Sequence, residues 1–90
     1  PDKKAEEQRT IVEVPIASGS ILENKPLSRV PHLKQTVVVN VKREGQNMIP
    51  DPETVFKAGD FIYILTAAKN AERLQKLGAE KLPKDHIRKI

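Results

Sequence analysis

Few side chains in this sequence have the types and spacing that catalysis or metal binding requires. The two histidines, His32 and His86, are not at metal-ligand spacing from each other or from a set of carboxylates. Ser18 and Ser20 lie in an A-S-G-S run that lacks the G-x-S-x-G pattern of a nucleophile, and no histidine is near them in sequence. We therefore expect no catalytic residue, no metal site and no enzymatic activity.

Phosphate-binding motifs are also missing. The four glycines stand at apparent turns or helix ends, and none forms G-x-G-x-x-G, so no cofactor is expected. The net charge of +4 would suit a nucleic-acid partner, but binding by stacking needs exposed aromatic rings. Phe61 and Tyr63 instead belong to the most apolar stretch of the chain, where core packing explains them better. We expect no nucleic-acid partner and keep a nucleic-acid-binding domain as the less favoured alternative.

The composition indicates one small domain. A chain of 90 residues fits a single folding unit, and self-association often completes a core of this size. The absence of cysteine excludes disulfides and thiolate metal sites. No apolar run approaches the ~20 residues that span a bilayer. The chain begins at Pro1 rather than Met, so we expect it to be a piece of a longer protein.

Four apolar runs predict β-strands. Residues 11–16 alternate in hydrophobicity, and Pro15, which has no amide donor, predicts that this strand lies at an edge or ends there. Residues 61–66 (FIYILT) are apolar on both faces, which predicts the middle of the sheet. Residues 36–42 form the second strand, and residues 48–49 return after a hairpin loop as a short third strand. The side chains predicted to share a face are Val12, Val14 and Ile16 in the first strand, and Val37, Val39 and Val41 in the second.

Two segments predict helices. Residues 26–30 (PLSRV) suit a short helix, because proline is tolerated in a first helical turn and Pro31 ends it. Asn70 can cap a second helix, whose apolar residues recur every three positions until Gly78 closes it.

Together these elements predict an α+β fold of two layers. A four-stranded, mostly antiparallel sheet would carry both helices on one face. The predicted boundaries are 1–10 for a linker or the end of a preceding element, 11–78 for the domain and 79–90 for a C-terminal tail.

The stretch from Glu13 to Gly78 resembles the C-terminal subdomain of the RCK family, also called the TrkA-C domain. Its most specific part is residues 37–65, VVVNVKREGQNMIPDPETVFKAGDFIYIL. The family typically shows a β-branched strand, a hairpin with a basic residue and a glycine, an element with isoleucine and proline, and an x-x-G-D turn before an apolar strand. The matching residues are Arg43, Gly45, Ile49, Pro50, Gly59 and Asp60. In an earlier G-K-x-L-x-x-L segment, Lys25, Leu27 and Val30 match, and Asn24 replaces the glycine.

The resemblance implies a homodimeric, ligand-sensing regulatory domain. Such domains serve potassium channels, potassium uptake systems and other ion transporters at the cytoplasmic face of the membrane, here the inner membrane. The implied partners are a second copy of the chain and a membrane transport subunit, or a transport domain of the same chain. Some members bind cyclic di-AMP at the dimer interface, so this or another nucleotide is the implied ligand. The positions that would line the site are Ile21, Leu22, Leu27, Ser28, Arg29, His32 and Pro50.

The position of Ser28 departs from the family pattern. Members that bind cyclic di-AMP usually have a basic or amide side chain there, whereas this chain has Arg29 one residue later. Arg29 and His32 from two copies could form an anion site across a two-fold axis. The competing interpretation assigns the apolar members of the set to core or dimer packing. A purely structural dimerisation module of a transport protein is therefore the main alternative.

Overall fold

A four-stranded sheet with one α-helix on one face forms the domain. The computed structural model describes residues 8–30 and 36–79, and the structural statements below concern these residues. Every neighbouring pair of strands is antiparallel, and the spatial order is β1-β4-β2-β3. The predicted α+β class is confirmed. The elements are β1 (Arg9–Pro15), β2 (Val37–Arg43), β3 (Gln46–Met48), β4 (Phe61–Ala67), α1 (Ala71–Leu77) and two 3₁₀ helices, Leu27–Arg29 and Ala68–Asn70.

The predicted positions of two strands in the sheet are confirmed. β4 lies between β1 and β2, as expected for a strand that is apolar on both faces. β1 lies at an edge and ends at Pro15, whose position on the unpaired side of the strand needs no amide donor. β1 begins at Arg9, two residues before the predicted start.

The hydrophobic core lies between the inner face of the sheet and α1. Leu74 and Leu77 of α1 are buried, as their three-residue spacing predicts. Each fully buried side chain of this size stabilises the fold by about 1.5–3 kcal/mol. The buried apolar residues are Val12, Val14, Ile16, Leu22, Val30, Val41, Phe56, Ile62, Ile64, Leu74 and Leu77.

The predicted common face of Val37, Val39 and Val41 is wrong. The register between β2 and β4 shifts between Val38 and Asn40, which leaves Val39 as the extra residue of a β-bulge. Because a one-residue insertion reverses the alternation, Val41 is fully buried while Val37 and Val39 are exposed at 56% and 37%.

The prediction of two helices on one face is also wrong, because the segment from Pro26 to Val30 forms only a three-residue 3₁₀ helix. Pro26 is extended, with ψ of 150°, and Val30 is extended at φ −104° and ψ 95°. Val30 precedes a proline, and such residues avoid helical angles. The space between the two prolines is therefore too short for an α-helical turn.

Candidate functional site

The first 3₁₀ helix is held against the loop that follows β3. Pro26 and Val55 form an antiparallel bridge. The amide of Leu27 donates to the carbonyl of Thr54 at 2.9 Å, and the amide of Ser28 donates to the carbonyl of Pro52 at 3.0 Å. These backbone hydrogen bonds fix the 3₁₀ helix relative to the loop without using any side chain, so the side chains remain available for contacts.

The same pairing continues toward the core. The amide of Asn24 donates to the carbonyl of Phe56 at 2.7 Å, and the amide of Phe56 donates to the carbonyl of Lys25 at 3.1 Å. Phe56 is fully buried. The segments 24–28 and 52–56 are therefore anchored by a core aromatic residue.

The predicted site residues fall into three groups. Ser28 and Arg29 are exposed on the 3₁₀ helix, and Ile21, Leu27 and Pro50 are half-buried. The third group consists of the fully buried Leu22 and of His32, which lies outside the described residues.

Leu22 belongs to the core and not to a contact surface. Its side chain has no exposed area and packs within the core cluster. The neighbouring Ile21 is half-buried and packs at the edge of that cluster. We therefore assign Leu22 to packing and keep Ile21 as the accessible member of the pair.

Two exposed apolar residues near these segments in the sequence were not among the predicted site residues. Ile49 is 88% exposed, and Val55 is 37% exposed. The sequence placed Ile49 in the third strand, but β3 ends at Met48, so Ile49 stands outside the sheet beside Pro50. Pro50 was the available signal, because a proline has no amide to continue the strand ladder beyond the preceding residue.

We use the name contact surface for residues on the two chain segments that meet in this backbone pairing or lead into it, namely Ile21, Leu27, Ser28, Arg29, Ile49 and Pro50. They combine apolar side chains with one cation. In the described part of the chain, the Arg29 side chain forms no salt bridge. A guanidinium offers several fixed donors that match phosphate oxygens. Such a surface suits a ligand with both apolar rings and anionic groups.

A second polar cluster lies between the hairpin and the start of β4. Arg43 donates from Nε to Oδ1 of Asp60 at 2.9 Å and from Nη2 to Oδ2 at 2.7 Å. Its Nη2 also donates to the carbonyl of Val55 at 2.9 Å, and the amide of Lys57 donates to Asp60 Oδ2 at 2.8 Å. A cavity of about 210 Å³ opens beside this pair.

The pairing of these two residues determines their ionisation. Burial alone would raise the pKa of Asp60, but the hydrogen bonds from Arg43 and from the Lys57 amide hold the pKa of this carboxyl below its ordinary value. The hydrogen bond to Asp60 raises the pKa of Arg43. Both groups stay charged and satisfied by each other, so we assign the cluster a structural role.

Other kinds of site find no support in the parts of the chain that the structure describes. Residues 8–30 and 36–79 contain no group of three or more His, Cys, Asp or Glu residues that could hold a metal ion. Among the same residues, no helix has the length and apolar character needed to cross a membrane.

Comparisons with solved structures define the class of the domain. One similar structure is an RCK domain with cda, at 19% identity and a TM-score of 0.65, covering 74% of this chain and 94% of that chain. Another is the RCK_C domain dimer of S. agalactiae BusR in complex with c-di-AMP, at 21% identity and a TM-score of 0.61, covering 76% of this chain and 92% of that chain. The fold is therefore that of an RCK domain.

The family follows from the sequence itself. The model of the TrkA-C domain matches residues 11–77, so the chain belongs to the TrkA-C domain family, as its resemblance predicted. A comparison with curated protein sequences found no match. Domains of this family are regulatory, which fits the expectation of a non-catalytic chain.

Proposed function

We propose that this chain is the regulatory domain of a potassium channel or cation transporter, and that two copies together bind a small anionic ligand such as cyclic di-AMP. The observation that carries the proposal is the contact surface, in which the exposed Arg29 lies on a backbone segment that is hydrogen-bonded to residues 52–56. The exposed Ile49 and the half-buried Ile21, Leu27 and Pro50 belong to the same two segments or to the residues that lead into them. The two solved RCK structures add support, since BusR was solved with c-di-AMP and the other with cda.

The chemistry of the surface matches both parts of a cyclic dinucleotide. Ile49 and Pro50 offer apolar area against a base, while Arg29 can donate charge-assisted hydrogen bonds to a phosphate. A symmetric ligand with two phosphates fits two copies related by a two-fold axis, because each copy then supplies one guanidinium. The participation of His32 in this anion site stays a prediction.

The proposed mechanism is a population shift. A ligand that contacts both copies favours the relative arrangement in which both surfaces face it, and the linker before β1 passes this bias to a membrane transport unit. The domain would act at the cytoplasmic face of the inner membrane, and no step requires a catalytic residue.

Removal of Arg29 tests the proposal directly. We expect Arg29→Ala to weaken cyclic di-AMP binding about 10- to 100-fold in titration calorimetry, because a charge-assisted hydrogen bond contributes about 1.5–3 kcal/mol. Arg73→Ala is the matched control, since Arg73 is also exposed but lies on α1, which is not part of the contact surface. The control should bind like the unaltered chain.

Two results would overturn the proposal. A chain that is dimeric by light scattering but binds no cyclic or linear adenine nucleotide would be a structural dimerisation module. Salt-sensitive binding to oligonucleotides, with no effect of Arg29→Ala, would instead identify a nucleic-acid-binding domain.

A further inference from the structure

The outer edge of β1 presents backbone groups that a second strand could bind. In the described part of the chain, β1 pairs with β4 alone, so one edge of β1 has no strand partner. The amide of Ala68 donates to the carbonyl of Gln8 at 2.8 Å, which places the even-numbered residues of β1 in hydrogen-bonded pairs with β4. The odd-numbered residues Arg9, Ile11 and Glu13 therefore direct their amides and carbonyls to the open edge.

The accessible part of this edge ends before Pro15. Pro15 has no amide donor, and its carbonyl lies so close to Gly78 that a Cβ added at Gly78 would collide with it. The end of α1 therefore covers this part of the edge. Residues 9–13 remain accessible, and Ile11 at their centre is 59% exposed.

We propose that two copies of this chain pair through antiparallel β1 strands, with Ile11 opposite the partner's Ile11 at a two-fold axis. This pairing forms about six backbone hydrogen bonds and joins the two four-stranded sheets into one. Arg9 then lies opposite the partner's Glu13, and Glu13 lies opposite the partner's Arg9. Opposite charges thus meet at both ends of the contact.

The charges and Pro15 together disfavour three other registers. Centring the pair on Arg9 or on Glu13 would bring like charges together, and like charges directly opposite each other are destabilising. Centring it on Val12 would place Arg9 opposite the partner's Pro15, which has no amide to donate. Arg9 and Glu13 therefore guide self-pairing, whereas edge charges of one sign would prevent it.

The side chains are already arranged for this contact. The hydroxyl of Tyr63 donates to Oε2 of Glu13 at 2.6 Å, which orients the carboxylate on the outer face of the sheet. Ile11 lies in a cross-strand row with Leu65 and Val37, so pairing would extend one apolar row across both copies. None of these residues belongs to the contact surface, whose Pro50 follows β3 at the opposite edge of the sheet.

Cysteine cross-linking tests the register, because the chain contains no cysteine of its own. Residues opposite each other in a hydrogen-bonded antiparallel pair have Cα atoms about 5.5 Å apart, which suits a disulfide. We expect Ile11→Cys to form covalent dimers on mild oxidation, with or without cyclic di-AMP. Val37→Cys is the matched control, at 56% exposure in the same row. Its copies would be about 24 Å apart across the axis, and it should stay monomeric on a non-reducing gel.

Charge reversal provides a second measurement. On the Ile11→Cys background, Glu13→Lys should slow cross-linking about tenfold, because a lysine would then face the partner's Arg9. Adding Arg9→Glu restores opposite charges and should restore the rate. Equal cross-linking of the Ile11→Cys and Val37→Cys chains would overturn the proposed pairing. A cross-linking rate that is the same with and without Glu13→Lys and Arg9→Glu would also overturn it.

Discussion

Arg43 and Asp60 form the ion pair on which the hairpin and the start of β4 depend. The side chain of Asp60 is only 2% exposed, and it accepts three hydrogen bonds, two from Arg43 and one from the Lys57 amide. We expect Asp60→Ala to lower the free energy of unfolding by about 3 kcal/mol, because it leaves the half-buried guanidinium without its partner. Urea denaturation measures this change.

Asp51→Ala is the matched control for this loss. Asp51 is exposed and accepts hydrogen bonds from the Glu53 amide and the Thr54 hydroxyl within its own loop. Its removal should cost about 1 kcal/mol or less. Equal losses for both variants would contradict the assigned role of Asp60.

The Asp60 pair also predicts how stability depends on pH. The pKa of Asp60 is lower in the folded chain than its ordinary 3.8, so the unfolded chain binds more protons in this range. The contribution of the pair is therefore complete above about pH 5 and is lost as the pH falls through the folded pKa. The stability difference between the unaltered chain and Asp60→Ala should shrink in acid, and a difference constant down to pH 2.5 would contradict this sign.

The hairpin between β2 and β3 shows how turn geometry acts at the scale of an element. Glu44 and Gly45 form a two-residue turn, and both have positive φ, at 52° and 80°. Positive φ at both positions defines a type I′ turn, which favours Asn-Gly. We expect Glu44→Asn to raise the free energy of unfolding by about 0.5 kcal/mol and Gly45→Ala to lower it by about 1 kcal/mol.

Thermal unfolding measures both changes in the turn. A Cβ added at Gly45 would meet no atom within 4 Å, so any loss in Gly45→Ala comes from the backbone conformation. Gln46→Ala, at an exposed position in β3, serves as the control and should change stability by less than about 0.5 kcal/mol. A larger loss in Gln46→Ala than in Gly45→Ala would contradict the turn assignment.

The position of a strand in the sheet was predictable from the sequence where its local pattern is compatible with only one position. Pro15 predicted the edge position of β1, and the apolar run of β4 predicted its central place. The bulge in β2 was not predictable. Three consecutive valines do not show which of them faces the core, so nothing in the sequence marks Val39 as the extra residue. Gly78 was predicted to close the helix, yet its φ of −69° is ordinary, and its main constraint is the close approach to β1.

The contact surface was only partly predictable for a related reason. Ile21 and Leu22 are adjacent and chemically alike, and they lie in an irregular segment where no period tells which one points inward. Only the packed molecule separates the buried Leu22 from the accessible Ile21. Ile49 was assigned to a strand because apolar residues are expected inside, whereas β3 is too short to include it.

At the scale of the whole molecule, the two proposed contacts use different residues of one domain. The contact surface lies near the loop after β3, and the open edge belongs to β1. A chain with two separate two-fold contacts can therefore build assemblies larger than a dimer. We expect oxidised Ile11→Cys dimers to reach the mass of four chains or more when cyclic di-AMP is added, as measured by light scattering.

One further variant shows which contact causes this increase in the mass of the assembly. Arg29→Ala on the Ile11→Cys background should still cross-link but should keep the mass of two chains when cyclic di-AMP is added, because only the nucleotide contact is weakened. The oxidised Ile11→Cys dimer could also bind the nucleotide and yet keep the mass of two chains. In that case the ligand does not join two copies, and the proposal of a shared binding site is wrong. If instead Ile11→Cys fails to cross-link while cyclic di-AMP still produces a dimer, the nucleotide contact stands and the β1 pairing is wrong.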